Sequence, residues 1–277
     1  MEVFATGLGL GESPRWHDGR LWVCDWVAGE VLSYDESGDR RVELTMTGLP
    51  FSVDWLPDGR TVLTCDRGVV TADEDGTLTP YGATGQAWNE IVVDPRGHTF
   101  VNAAGFDLMG GEEPKAGFVW VVRPDGTSEP VADDVWFPNG MAVTADGRTL
   151  VVAESYGRCL TGFDIGDDGT LTNRRVWADL GEANPDGICL DAEGAVWYAD
   201  PLNGCVVRVR EGGEIAERID VDLAIDGVIP VACVLGGSDR RTLYICVAGG
   251  WKREDVLAAR TGRIDAVEVT VPGAGRP

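Results

Sequence analysis

Histidine is nearly absent from this chain, which holds only His17 and His98 in 277 residues. Both lie in polar turns, so neither a Ser-His-Asp arrangement nor a histidine-based metal site can be assembled. Basic residues are scarce as well, with 23 Lys and Arg against 46 Asp and Glu and a formal net charge of −23. Such a field repels a phosphate backbone, and no basic stripe or nucleic-acid module interrupts it, which argues against a nucleic-acid partner. Instead the charge is expected to form a solvated acidic surface that can also gather divalent cations.

The seven cysteines include no C-x-x-C pair, and Cys24, Cys65, Cys189, Cys233 and Cys246 sit inside apolar runs. They read as small buried hydrophobes of a reducing compartment. No stretch approaches the ~20 apolar residues of a membrane span, and Met1 to Ala5 carries no basic leader region. A cytoplasmic protein without membrane contact is expected. A Gly-rich phosphate loop and an amphipathic helical period are also missing.

What the chain does contain is strand and turn, six times over. The fullest copy runs from Asn184-Pro185-Asp186-Gly187 through Ile188-Cys189-Leu190, the turn Asp191-Ala192-Glu193-Gly194, and Ala195-Val196-Trp197-Tyr198-Ala199-Asp200. A polar corner, an apolar run, a tight turn and a second apolar run are the two arms of a hairpin. Turn residues Gly19, Gly59, Gly97, Gly147, Gly194 and, in place of glycine, Arg240 recur at intervals of roughly 40–50 residues. All-strand repeats of that length predict an all-β, six-bladed β-propeller occupying residues 1–277 as one domain. The run Glu2 to Thr6 is expected to complete the last blade, closing the ring with strands from both termini and removing two sheet edges. Blade three carries an insertion, residues 105–115, which could be a lid or a tolerated loop.

In a propeller the innermost strand of each blade lines the channel, so residues just ahead of it share one mouth. The equivalent positions are Glu12, Phe51, Asn89, Asn139, Asp186 and Ala232. Four carry oxygen and two are carboxylates, where uncompensated charge is costly and a cation relieves it. An all-oxygen set suits one divalent ion, Ca²⁺ foremost, with Mg²⁺, Mn²⁺ or Zn²⁺ open. Taken singly, each of these residues is also an ordinary turn former. The acidic Glu154 and Asp200, at the ends of second strands, read as structural.

These residues resemble a known family. Gly11-Glu12-Ser13-Pro14-Arg15-Trp16, Asn139-Gly140-Met141-Ala142, Pro185-Asp186-Gly187 and Gly236-Gly237-Ser238-Asp239 are similar to motifs of the gluconolactonase, senescence marker protein and luciferin-regenerating enzyme family. The resemblance implies a six-bladed propeller with one divalent metal, held by Glu12, Asn139 and Asp186, with Asp186 also catalytic. It places a substrate- or metal-contacting asparagine at Asn89. Sugar-lactone members usually read Arg-x-Asn-Asp-Gly there, whereas this chain reads Ala87-Trp88-Asn89-Glu90-Ile91, which favours a less polar substrate. Trp88, Trp136 and Phe137, with Phe51 and residues 106–109, are then candidates for an apolar wall.

The expected activity is metal-assisted hydrolysis of a cyclic ester by a monomer or small homo-oligomer. Two alternatives stand beside it: an organophosphate or aryl-ester hydrolase using the same site, and a binding propeller without chemistry.

Overall fold

The computed structural model describes residues 1–107, 111–222, 227–249 and 259–275. Among these, twenty-four strands form six four-stranded antiparallel sheets. Five blades are built from consecutive strands, at residues 11–45, 53–82, 90–135, 138–179 and 188–220. The sixth takes three strands from residues 229–268 and its outermost from Glu2–Leu8, which pairs with Gly262–Glu268 in the register Glu2↔Ala266 to Leu8↔Gly262. The ring is therefore closed as expected. The expected lid, residues 105–115, includes 108–110, which lie outside the described residues.

Each blade is stacked between two neighbours, so its middle strands need apolar residues on both faces rather than alternation. The second strands obey this: Thr149–Glu154 reads Thr-Leu-Val-Val-Ala-Glu and Val196–Asp200 is buried throughout. Fourth strands form the outer wall and stay largely exposed, as in Arg40–Thr45 and Leu78–Gly82. Six apolar clusters fill the seams. One packs Val151 and Leu160 of blade four against Val196 and Val207 of blade five, and another packs Val234 and Cys246 of blade six against Val23 and Leu32 of blade one.

The six inner strands are Gly11–His17, Val53–Trp55, Glu90–Val93, Pro138–Val143, Ile188–Leu190 and Ile229–Gly236. Their first residues, together with the hairpins joining second to third strands, make up one end of the ring.

Candidate active site

Glu12 is the second residue of the inner strand of blade one, opposite Cys24, and Ser13 beside it holds a left-handed φ of 47°. The ladder slips between Glu12 and Arg15, a bulge that turns the Glu12 side chain out of the regular pleat. Asn139 lies in the inner strand of blade four and Asp186 just ahead of that of blade five. Asn139 donates its side-chain amide toward Ser155 Oγ at 3.4 Å, and Ser155 Oγ donates to Pro185 O at 2.7 Å. Asn102 of blade three donates to Asn139 O at 2.6 Å, fixing that backbone from the other side.

The glycines following Asn139 and Asp186 are there for space rather than for a turn. Gly140 N donates to Asp186 O at 3.1 Å and Gly187 N to Val231 O at 2.9 Å, stitching blades four, five and six together. A Cβ on Gly140 would lie 2.6 Å from Asp186 O, and one on Gly187 would lie 2.6 Å from Ala232 Cα. Neither glycine has positive φ. The turn-former reading of these two dipeptides is therefore corrected.

Both carboxylates are buried, Glu12 at 7% and Asp186 at 7% exposure. Burial, then the neighbouring Glu90, pushes the Asp186 carboxyl up to about 8, while the Asn139 amide bonded to it acts the other way. Glu12 is held well above the usual carboxylate range by burial first and then by Asp186 and Glu90. Two buried acids, both raised by burial and by Glu90 and with no basic partner among the described residues, are a combination a hard cation would relieve. The donor set of two carboxylates and an amide fits such an ion. Among the described residues no cluster of three His, Cys, Asp or Glu side chains stands at metal-binding spacing.

The third nearby carboxylate, Glu90, was missed in the sequence and is spoken for. Arg15, 4% exposed, donates to Glu90 Oε1 at 2.9 Å, to Ile91 O at 2.6 Å and to Pro14 O at 3.0 Å. Ser13 Oγ stands 3.2 Å from both Glu90 oxygens. This pair joins blade one to blade three and gives Glu90 a counter-charge that Glu12 and Asp186 lack among the described residues. Arg15 and Glu90 sit 75 positions apart in the chain, so no local pattern could have linked them.

Asn89 is half-buried beside these groups, its amide 3.4 Å from Pro138 O. Phe137 is half-buried, with its ring 4.8 Å from that of Tyr156, and Trp136 is exposed. Trp88 is not a wall residue: it is 1% exposed, packs on Phe118 and Trp120, and donates its indole to Ala83 O at 2.8 Å. Phe51 is likewise fully buried, in the seam between blades one and two. Both are large rings whose position one residue before a polar corner fits a core role equally well.

Glu154 accepts from Trp136 N at 2.7 Å and from Arg174 at 3.0 Å, and Asp200 accepts from Asn203 Nδ2 at 2.7 Å; each holds a loop, as read from the sequence. His98 is tied to Asp94 at 2.9 Å and His17, the last residue of its inner strand, is stacked on Trp55 at 3.8 Å, both at the far ends of the inner strands from the mouth.

Fold and site together define a six-bladed β-propeller whose channel mouth gathers buried oxygen donors. The chain belongs to the SMP-30/Gluconolactonase/LRE-like family, whose model matches residues 10–249. Pentonolactonase XacC of Haloferax volcanii is 30% identical over 90% of this chain and 84% of its own length. The 6-deoxy-6-sulfogluconolactonase of Pseudomonas putida is 25% identical over 97% and 94%. In structure the chain is similar to regucalcin, a calcium-binding protein of Agrobacterium tumefaciens, at TM-score 0.81 and 23% identity over 100% of this chain and 96% of that one. That likeness speaks for the fold.

Proposed function

We propose that this protein hydrolyses a lactone at the channel mouth, with Glu12, Asn139 and Asp186 as the ligands of one divalent ion, Ca²⁺ foremost. The observation that carries the reading is the convergence of two buried carboxylates and an amide from three separate blades. Its support from relatives is that two of them, matched over most of their length, are lactonases. Bound there, a divalent ion would polarise the ester carbonyl and favour the charged form of Asp186.

The chain's own groups then do the rest. Asp186 takes the proton of the attacking water, whose oxygen bonds to the carbonyl carbon. The ring C–O bond breaks, the leaving oxygen gains a proton, and the product is a hydroxy acid that releases one proton near neutrality. Asn89 orients the substrate from blade three. Gly140 and Gly187 fix the spacing of the strands that present Asn139 and Asp186. The Arg15–Glu90 pair keeps the third carboxylate out of the ligand set.

Proton release over a lactone panel, with a phosphotriester arm, measured in EDTA and with Ca²⁺, Mn²⁺, Mg²⁺ and Zn²⁺ restored, tests this. We expect lactone turnover lost with chelation and restored by one of the metals, and Asp186→Asn to lower kcat by at least ~10²-fold. Turnover that persists in EDTA overturns the metal role. Turnover of phosphotriesters alone overturns the substrate class.

A further inference from the structure

We propose that Phe106, Phe137 and Tyr156 form a stacking platform beside the site, and that the preferred lactone carries or is fused to a flat aromatic ring. This rests on the lactone reading above.

The three rings come from two blades and meet at the mouth end. Phe137 lies two residues before Asn139, while Tyr156 follows Ser155, the hydroxyl that Asn139 faces. Phe106 follows the strand Thr99–Ala103, whose Asn102 donates to Asn139 O. Phe137 and Tyr156 stand 4.8 Å apart at 18°, Phe106 and Tyr156 6.0 Å apart at 24°, and Phe106 and Phe137 5.6 Å apart at 39°. Tyr156 therefore lies roughly parallel to both Phe106 and Phe137, which are tilted to one another, and a further planar ring can extend the Tyr156 stack.

Exposure is graded in the way a binding surface needs. Phe106 is buried at 8%, Phe137 is half-buried, and Tyr156 is 41% exposed. The anchored rings hold the exposed one in place, so little freedom is lost on binding.

The backbone gives a second, independent sign. Phe137 has a left-handed φ of 55°, an uncommon conformation for a bulky residue and one that persists only when its surroundings impose it. Ser155 N donates to Phe137 O at 3.1 Å and Glu154 receives Trp136 N at 2.7 Å, so both flanks of the strained residue are tied down. A strain held this firmly, two residues before Asn139, fixes the backbone that sets the Phe137 ring against Tyr156. The platform offers one hydroxyl and no charge, a poor match for the many hydroxyls of a sugar lactone.

The test compares dihydrocoumarin, δ-valerolactone and glucono-δ-lactone, which share a six-membered ester ring, on the wild type, Tyr156→Ala and Tyr156→Phe. We expect the lowest KM for dihydrocoumarin. Tyr156→Ala should raise that KM by about 3- to 10-fold with kcat near the wild-type value, leave δ-valerolactone unchanged, and be rescued by Tyr156→Phe. Equal KM values for the three lactones, a preference for the sugar lactone, or an equal effect of Tyr156→Ala on all of them overturns the proposal. If no lactone is hydrolysed, the activity reading fails, and the platform is judged by binding alone. Saturation-transfer NMR with coumarin should then show contact in the wild type that Tyr156→Ala removes; no contact in either protein refutes the platform as well.

Discussion

At the scale of single residues, the channel mouth works by leaving two acids without a counter-charge while providing one for a third. Arg15 pairs with Glu90, while burial first and then neighbouring carboxylates favour the protonated forms of Glu12 and Asp186. In metal-free protein Asp186 titrates at about 8 when folded and near its ordinary 3.8 when unfolded. The folded state therefore keeps a proton that the unfolded chain releases, and the associated stability, full below pH ~4, is lost as pH climbs through 8. In EDTA we expect wild type to lose stability relative to Asp186→Asn across pH 5–8, with a slope approaching ~1.4 kcal/mol per pH unit. His17, whose pKa burial lowers, works in the opposite sense and cancels in that comparison. Added Ca²⁺ should raise Tm least at pH 5 and most at pH 8, because binding requires the proton to leave. Chemical denaturation at several pH values checks both statements; a pH-independent difference between the two proteins refutes them.

At the scale of the element, much of this site is legible in the sequence because the positions ahead of the inner strands are local features. A count back from the turn finds them in every blade. Glu12 sits seven residues before Gly19 rather than eight because a bulge at Ser13 adds a residue while the Asp18-Gly19 turn is shorter. Arg240 occupies the turn position that is glycine elsewhere, and it takes the left-handed φ of 59° that the repeat demands. Less legible were groups whose meaning comes from another blade: Glu90, whose partner is distant in sequence, and Trp88, whose ring turned into a seam. The role of Gly140 and Gly187 was also hidden, since a close approach leaves no trace in the residue itself. Gly187→Ala should push blades five and six apart and cost roughly 1–3 kcal/mol. Lost metal affinity should accompany it, measurable by calorimetry beside a denaturant titration. A variant as stable and as metal-avid as wild type would contradict the spacing role.

For the whole molecule, the acidic excess has two fates. Asp58, Asp125, Asp146 and Asp168 cap the backbone N–H two residues on, and their carboxyls are held below the usual range first by neighbouring hydroxyl or guanidinium groups and then by those backbone bonds. Much of the negative charge is thus turn chemistry, spread around the rim of the ring. The ring itself depends on Glu2–Leu8, whose removal bares the edge of Gly262–Glu268. A chain lacking residues 2–8 should melt at lower temperature and elute partly as oligomers in size-exclusion chromatography, and an unchanged monomer with wild-type Tm would refute this.

That same clasp sets an order of events in the cell. The segment that completes the circle leaves the ribosome long before its mate, so it waits unpaired through synthesis of five blades. Full assembly, and with it the final spacing of blades one, four and five at the channel mouth, belongs to the moments after translation of the sixth.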